Sequence, residues 1–207
     1  MPRTIYKKYD KRLIAQLPVT TFGGRIIVIL TPSETERAVR YLLDQPLLGF
    51  DTETRPSFKR GHRNMVALLQ VATEDTCFLF RLHHTGFTPA LRRLLEDTTV
   101  TKVALSWHDD VNELHRLGDF QPGTFIDIQN MVHELGIDDI SLQKLYANLF
   151  GQKISKRQQL SNWEADILND KQKLYAATDA WACFKMYKEL VRLKETNDYE
   201  LIVKEEE

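Results

Sequence analysis

Three observations predict an α/β protein built on a mixed sheet. Five short apolar segments with strand character fall at residues 25–30, 47–53, 65–73, 77–82 and 102–107, in the first half of the chain. Two of them, MVALLQVAT and CFLFRL, are separated only by the turn-like Glu74-Asp75-Thr76, as in a hairpin of adjacent strands. Helical periodicity dominates the last third.

Taken in order, the first 20 residues are mixed and basic and read as an arm or short helix. RIIVIL is the first strand. Thr31-Pro32-Ser33-Glu34 marks a helix start, with Ser33 and Glu36 at capping-box spacing, and the helix continues to about Asp44. LLGFDTE is the second strand, followed by the two hairpin strands. Residues 88–96 read as helix and KVALSW as a fifth strand. Helical stretches follow near 109–118, 127–135 and 141–149. Capping-box spacing recurs at Ser161/Glu164 and Asn169/Gln172, and a long helix runs from there to about residue 195. No linker or second core interrupts the pattern. The expected organisation is an N-terminal arm (1–23), a single domain (24–200) and a frayed tail (201–207).

Composition narrows the function classes. The chain has 207 residues, enough for one domain with a sizeable core, and is 43% hydrophobic and 28% charged. No run of about 18 apolar residues is present, so no membrane partner is expected. The N-terminus lacks the apolar core of a signal peptide. Cys77 and Cys183 each sit in an apolar run, as reduced core cysteines of an intracellular protein do, and the expected location is cytoplasmic. A formal net charge of −1 argues against a general nucleic-acid coating protein, though not against a nuclease.

The chemistry lies in carboxylates set in apolar surroundings. Side chains alternate along a strand, so Asp51 and Glu53 of LLGFDTE share one face, opposite Leu48, Phe50 and Thr52. Two carboxylates so placed repel each other unless a cation lies between them. The spacing by itself is cheap, since Asp198 and Glu200 repeat it in the polar tail. Asp179 lies in LYAATDAWACF, beside a stripe of Leu174, Ala177, Trp181 and Phe184 at helical spacing. Two readings are open for it: a buried aspartate satisfied by a hydroxyl or backbone group, or a ligand. Tyr175, four residues earlier, shares its helix face and could orient a water there, although Tyr6/Asp10 repeats that spacing in the arm. In SWHDDVNELHRLG, Asp110 lines up with Leu114 and Leu117, toward the core. Asp109 lines up with Glu113 and Arg116, toward solvent, and reads better as a helix N-cap. His108 is a possible ligand but reads more simply as structural.

Together, GFDTET, the helix start with Asp110 and Leu114, and YAATDAWACFKMY resemble the three motifs of the DEDDy 3′-5′ exonucleases, the family of ribonuclease D and the Werner-protein exonuclease domain. They stand in the family's order. VALLQVATEDTCFLF and SNWEADILNDKQKLYAATDA are especially similar to the Werner-type domain, and the resemblance covers about residues 24–193. It implies a ribonuclease H-like fold with a central mixed five- to six-stranded sheet. It also implies hydrolysis from a free 3′ end of DNA or RNA, releasing nucleoside 5′-monophosphates. By the same resemblance, two divalent cations are held by Asp51, Glu53, Asp110 and Asp179. Asp51 would contact both, Glu53 and Asp179 the first, and Asp110 the second, partly through water, while Tyr175 positions the attacking water. Mg²⁺ or Mn²⁺ suits an all-oxygen set. The chain lacks helicase motifs and the helical domains that follow the nuclease domain of ribonuclease D, and so reads as a stand-alone nuclease domain. It has Val111 and Asn112 where the Werner domain has an aromatic after its second-motif aspartate.

Substrate grip is expected from Arg55, Phe58, Lys59, Arg60 and Arg63, which directly follow the first motif, and from Lys153, Lys156 and Arg157 before the third. A solvated loop is the competing reading of both segments. The rival function is a catalytically inactive member that binds nucleic acid or protein, but substitution of a motif carboxylate, its simplest signature, is absent.

Overall fold

The computed structural model describes residues 2–59, 61 and 63–203. Its six-stranded sheet contains β2 (Arg25–Ile29), β3 (Leu47–Thr54), β4 (Val66–Ala72), β5 (Thr76–Arg81), β6 (Thr101–Ala104) and β7 (Phe125–Asp127). The spatial order is β2-β5-β4-β3-β6-β7, and β4 alone runs against the others. The hairpin joining β4 to β5 closes as its sequence suggests. Thr73 N–H donates to the Thr76 carbonyl at 2.8 Å, and Ala72 faces Cys77 in the register. Every residue of β4 is buried, which is why VALLQVA reads as a continuous apolar run.

Helices cover both faces. Leu69 and Val71 join a core with Val39 and Leu42 of α2 (Pro32–Leu43) and Leu91 and Leu94 of α4 (Pro89–Glu96). Leu68 and Ala72, pointing the other way, meet Ala176, Ala177 and Ala180 of α8 (Asp170–Thr196). Small residues on α8 let its backbone come close to the sheet. At Gly49 of β3 the two backbones leave no room for a side chain: an added Cβ would lie 2.1 Å from the Ala180 carbonyl oxygen. Gly49, Asp51 and Glu53 alternate onto this same face, so the contact that requires the glycine also sets α8 against the two carboxylates. Cys77 and Cys183 are buried and unbridged. Among the described residues, no helix is long and apolar enough to cross a membrane.

Several local expectations are corrected. The capping box of α2 is Thr31/Glu34, not Ser33/Glu36, because Pro32 is preorganised for the first helical turn and makes Thr31 the N-cap. Ser161/Glu164 starts no helix. Glu164 N–H instead donates to Asn162 Oδ1 at 3.2 Å within a run of turns, and α8 begins at the Asn169/Gln172 capping box. The sixth strand, β7, lies where the sequence pattern suggested only a helix start. The arm contains β1 (Arg3–Tyr6) and the four-residue α1 (Lys11–Ile14). β1 pairs in parallel with β8 (Tyr199–Ile202), so Leu201 and Ile202 are paired with Ile5 and Tyr6 rather than frayed. Burial of Ile5 in the core fixes that pairing. The remaining tail residues, 204–207, lie outside the described residues.

Candidate active site

The candidate site lies at the carboxyl-terminal ends of the parallel strands β3, β6 and β7, a common place for ligands in α/β sheets. β3 presents Asp51 and Glu53, and α8 presents Asp179. One carboxylate oxygen from each lies within 4.8 Å of the others. Asp179 is 5% exposed, and its Oδ1 has no hydrogen-bond partner among the described residues. A buried, unpartnered carboxylate oxygen aimed at two further carboxylates matches what a cation needs.

Electrostatics agree. Asp51 and Glu53 keep part of their surface open to the cleft, yet protein surrounds their carboxyl groups on most sides. Burial, followed by the nearby Asp179, pushes the Asp51 pKa well above its ordinary value. Burial, followed by Asp51, Asp179 and Asp110, pushes Glu53 to about 10. Burial also raises Asp179, to about 7, against the opposing pull of the Tyr175 hydroxyl and Lys156. These shifts record burial of the carboxylates first and, at Asp51 and Glu53, mutual repulsion second, and a divalent cation would oppose both. The all-oxygen donor set fits a hard cation such as Mg²⁺ or Mn²⁺.

Asp110 joins from α5 (Trp107–His115) and stands outside the group of three. Thr52 Oγ1 donates to its Oδ1 at 2.5 Å. Burial and then Asp51 push its pKa well up, with the Thr52 bond opposing. Asp109 is exposed and is not the N-cap. That position belongs to Ser106, which has left-handed backbone (φ 62°) and no side-chain cap bond. The cap comes from elsewhere. Asp127, at the end of β7, accepts from Ser106 N–H at 3.1 Å and Trp107 N–H at 2.8 Å. It also caps α6 (Ile128–Glu134) through Gln129 N–H at 2.9 Å. One carboxylate therefore sets the start of the helix that carries Asp110. Sequence reasoning missed this role. The available signal was an aspartate two positions before Gln129 at a predicted helix start.

Tyr175 is half-buried between the carboxylates and Trp163, whose ring centroid lies 5.9 Å away at 34°. Burial and the neighbouring Asp179 and Glu53 carboxylates push the phenol pKa up, so it stays a neutral O–H. The cleft over the carboxylates is also lined by Ser106, Lys156 and Gln159. Tyr175, Ile154 and Ser155 separate it from a neighbouring depression edged by Arg157 and Lys171.

The expected grip residues have different surroundings. Arg55 pairs with Glu164 at 3.1 Å. Arg63 pairs with Glu113 at 3.3 Å, while Arg116 donates to the Arg63 and Asn64 carbonyls, each at 3.1 Å. Phe58 is 90% exposed and Lys59 is exposed. Arg60 lies outside the described residues. Lys156 reaches the cleft and Arg157 the adjoining depression. Lys153 faces the arm, where its ammonium donates to the Ala15 carbonyl and its backbone bridges Val19. His108 is exposed on α5, with its ring 3.1 Å from the Asn112 amide.

The sequence profile of a family described as 3′-5′ exonuclease matches residues 26–194. The mouse bifunctional 3′-5′ exonuclease/ATP-dependent helicase WRN is 31% identical over 201 residues, covering 92% of this chain but only 14% of that protein. An Arabidopsis thaliana 3′-5′ exonuclease is 29% identical over 213 residues, covering 92% of this chain and 74% of its own length. Among solved structures, the Aedes aegypti Nibbler EXO domain superposes with a TM-score of 0.78 at 19% identity, over 88% of this chain and 95% of that one. Escherichia coli RNase D superposes with a TM-score of 0.74 at 19% identity, over 84% of this chain and 46% of that one. These likenesses place the sheet and its helices in the ribonuclease H-like fold of RNase D-like exonuclease domains.

Proposed function

Because the chain belongs to the 3′-5′ exonuclease family, we propose that it hydrolyses the last phosphodiester bond at a free 3′ end of DNA or RNA with the help of two divalent cations. The observation that carries this reading is the meeting of Asp51, Glu53 and Asp179 within 4.8 Å, with Tyr175 beside them.

In this reading Asp51, Glu53 and Asp179 would hold the first cation, and Asp51 with Asp110 would hold the second. Bound there, the cations supply activation of water and neutralisation of charge on the departing oxygen. The chain's own groups do the rest. Tyr175 keeps its proton and orients the attacking water beside Asp179. Thr52 holds Asp110 in place through its hydroxyl. Lys156, at the cleft, meets the phosphate charge. The attacking water gives up a proton to solvent as its oxygen bonds to the terminal phosphorus, and the P–O3′ bond breaks. The shortened strand's 3′ oxygen takes up a proton, and a nucleoside 5′-monophosphate departs. Phe58 and the neighbouring cations Arg55, Lys59 and Arg63 form a rim on which bases and backbone can rest.

A time course on 5′-labelled single strands, one DNA and one RNA, tests this with Mg²⁺, Mn²⁺ or chelator, beside Asp51→Ala and Asp179→Ala. The expected result is a ladder shortening from the 3′ end, dependent on metal and absent in both variants. Tight binding without cleavage under either metal would favour the inactive-binder reading instead.

A further inference from the structure

Arg81 is the last residue of β5 and is 1% exposed. Its guanidinium is directed at main chain. It donates to the Ala165 carbonyl and to the Asp166 carbonyl (3.4 Å), and it meets His83 Nε2 at 3.0 Å. Its two terminal nitrogens are thereby used, while its buried Nε has no hydrogen-bond partner among the described residues, so the guanidinium is costly to bury where an apolar side chain would fill the same space. The segment it grips, residues 162–168, has no helix or strand, yet Trp163 near its start is fully buried. Among the described residues, side-chain ties also reach the segment from Gln172, whose Nε2 donates to the Asn162 carbonyl at 3.3 Å, and from Arg55, which pairs with Glu164 at 3.1 Å. Arg81 is the only buried charge among the three. What the segment delivers is the Trp163 indole, packed beside the Tyr175 ring.

We propose that Arg81 is a positioning residue for Tyr175, holding the 162–168 turn so that Trp163 backs the phenol ring and fixes its hydroxyl against Asp179. Without that grip the turn loosens, the indole retreats, and the ring gains freedom. Reaction geometry is sensitive to such loss, since a displacement of about 1 Å can lower a rate roughly a hundredfold. The inference rests on the exonuclease reading for its kinetic consequence, though not for its structural one.

The test is a double-mutant cycle in the full chain with Arg81→Met, Tyr175→Phe and both together, read as kcat and KM on a short labelled single strand with Mg²⁺. Arg81→Met is expected to lower kcat roughly tenfold with KM little changed. The double variant should be no slower than Tyr175→Phe alone, and Arg81→Lys should recover part of the loss. Losses that multiply in the double variant would overturn the proposal, as would an active enzyme indifferent to Tyr175→Phe. A second readout needs no activity. In protein labelled with 3-fluorotyrosine, the Tyr175 fluorine resonance is identified by its disappearance in Tyr175→Phe. It should shift and broaden in Arg81→Met while the other tyrosine signals hold. A protein without nuclease activity would sink the exonuclease reading, and the resonance would still decide this one: an unmoved Tyr175 signal in folded Arg81→Met or Arg81→Gln overturns it.

Discussion

The floor of the cleft and its rim are built in different ways. Asp51, Glu53, Asp179 and Tyr175 stand on a strand and a helix in backbone contact at Gly49. Their positions follow from packing, which tolerates little displacement. The rim, the described residues within 55–64 and 153–168, contains no helix and no named strand and is held by side-chain ties such as Arg55–Glu164 and Arg63–Glu113. Exposed pairs of that kind contribute little stability. Like charges are therefore concentrated where the scaffold is rigid, and adaptable cations lie where it is not. Changes to the floor should stop the chemistry, and changes to the rim should tune binding.

The largest expected effect is at the floor. Asp51→Asn or Asp179→Asn should lower kcat by a factor on the order of 10³ or more. In chelator, the same Asp179→Asn change should raise the melting temperature above pH 7, because it removes a buried charge. The sign follows from linkage. The folded pKa of Asp179, about 7, is raised above the ordinary value of 3.8, so the folded state binds its proton more tightly. Stability from this group is complete below about pH 4 and is lost as pH rises toward 7. Melting curves in chelator should thus fall over that window in the parent protein more than in Asp179→Asn. Millimolar Mn²⁺ should restore the parent alone, and an equal fall with pH in both proteins would contradict this account.

Next comes the contact beneath the floor. In Gly49→Ala the new methyl meets the Ala180 carbonyl at 2.1 Å. Overpacking of this kind should cost about 3 kcal/mol, and the rate should drop roughly a hundredfold as α8 moves off β3. Thermal melts beside ladder assays would show both losses, and full activity would break the link between packing and site. A smaller effect is expected where floor meets rim. Asp127→Ala removes the caps of α5 and α6, worth about 2 kcal/mol together, and should lower kcat through Asp110 about tenfold. Loss of stability with unchanged kcat would make Asp127 a cap without influence on the site.

The smallest effects belong to the rim. Lys156→Gln with Arg157→Gln should weaken single-strand binding several-fold and flatten its salt dependence by about 0.7 in log–log slope per cation removed. Lys153→Gln should leave the slope unchanged, because that ammonium faces the arm. Binding isotherms at several salt concentrations would separate these outcomes. An equal slope change from Lys153→Gln would show that the rim cations act as a diffuse field.

Much of this was legible in the sequence because it is local. Period-two alternation puts Asp51 and Glu53 on one strand face, and the hairpin around Asp75 follows from its turn residues. Helical periodicity marks α8 and sets Tyr175 one turn before Asp179. The motifs, taken with their order, pointed to the family. What only the tertiary structure decided depends on distant partners. The β1–β8 pair joins residues almost 200 positions apart, and β7 is too short to declare itself. Asp127 caps a helix that begins 20 residues before it, and Arg81 grips a turn more than 80 residues away. Gly49 is informative only once Ala180 is seen above it. Periodicity encodes which face a side chain takes, whereas packing of remote segments decides what that face meets, and in this protein the second determines where the carboxylates converge.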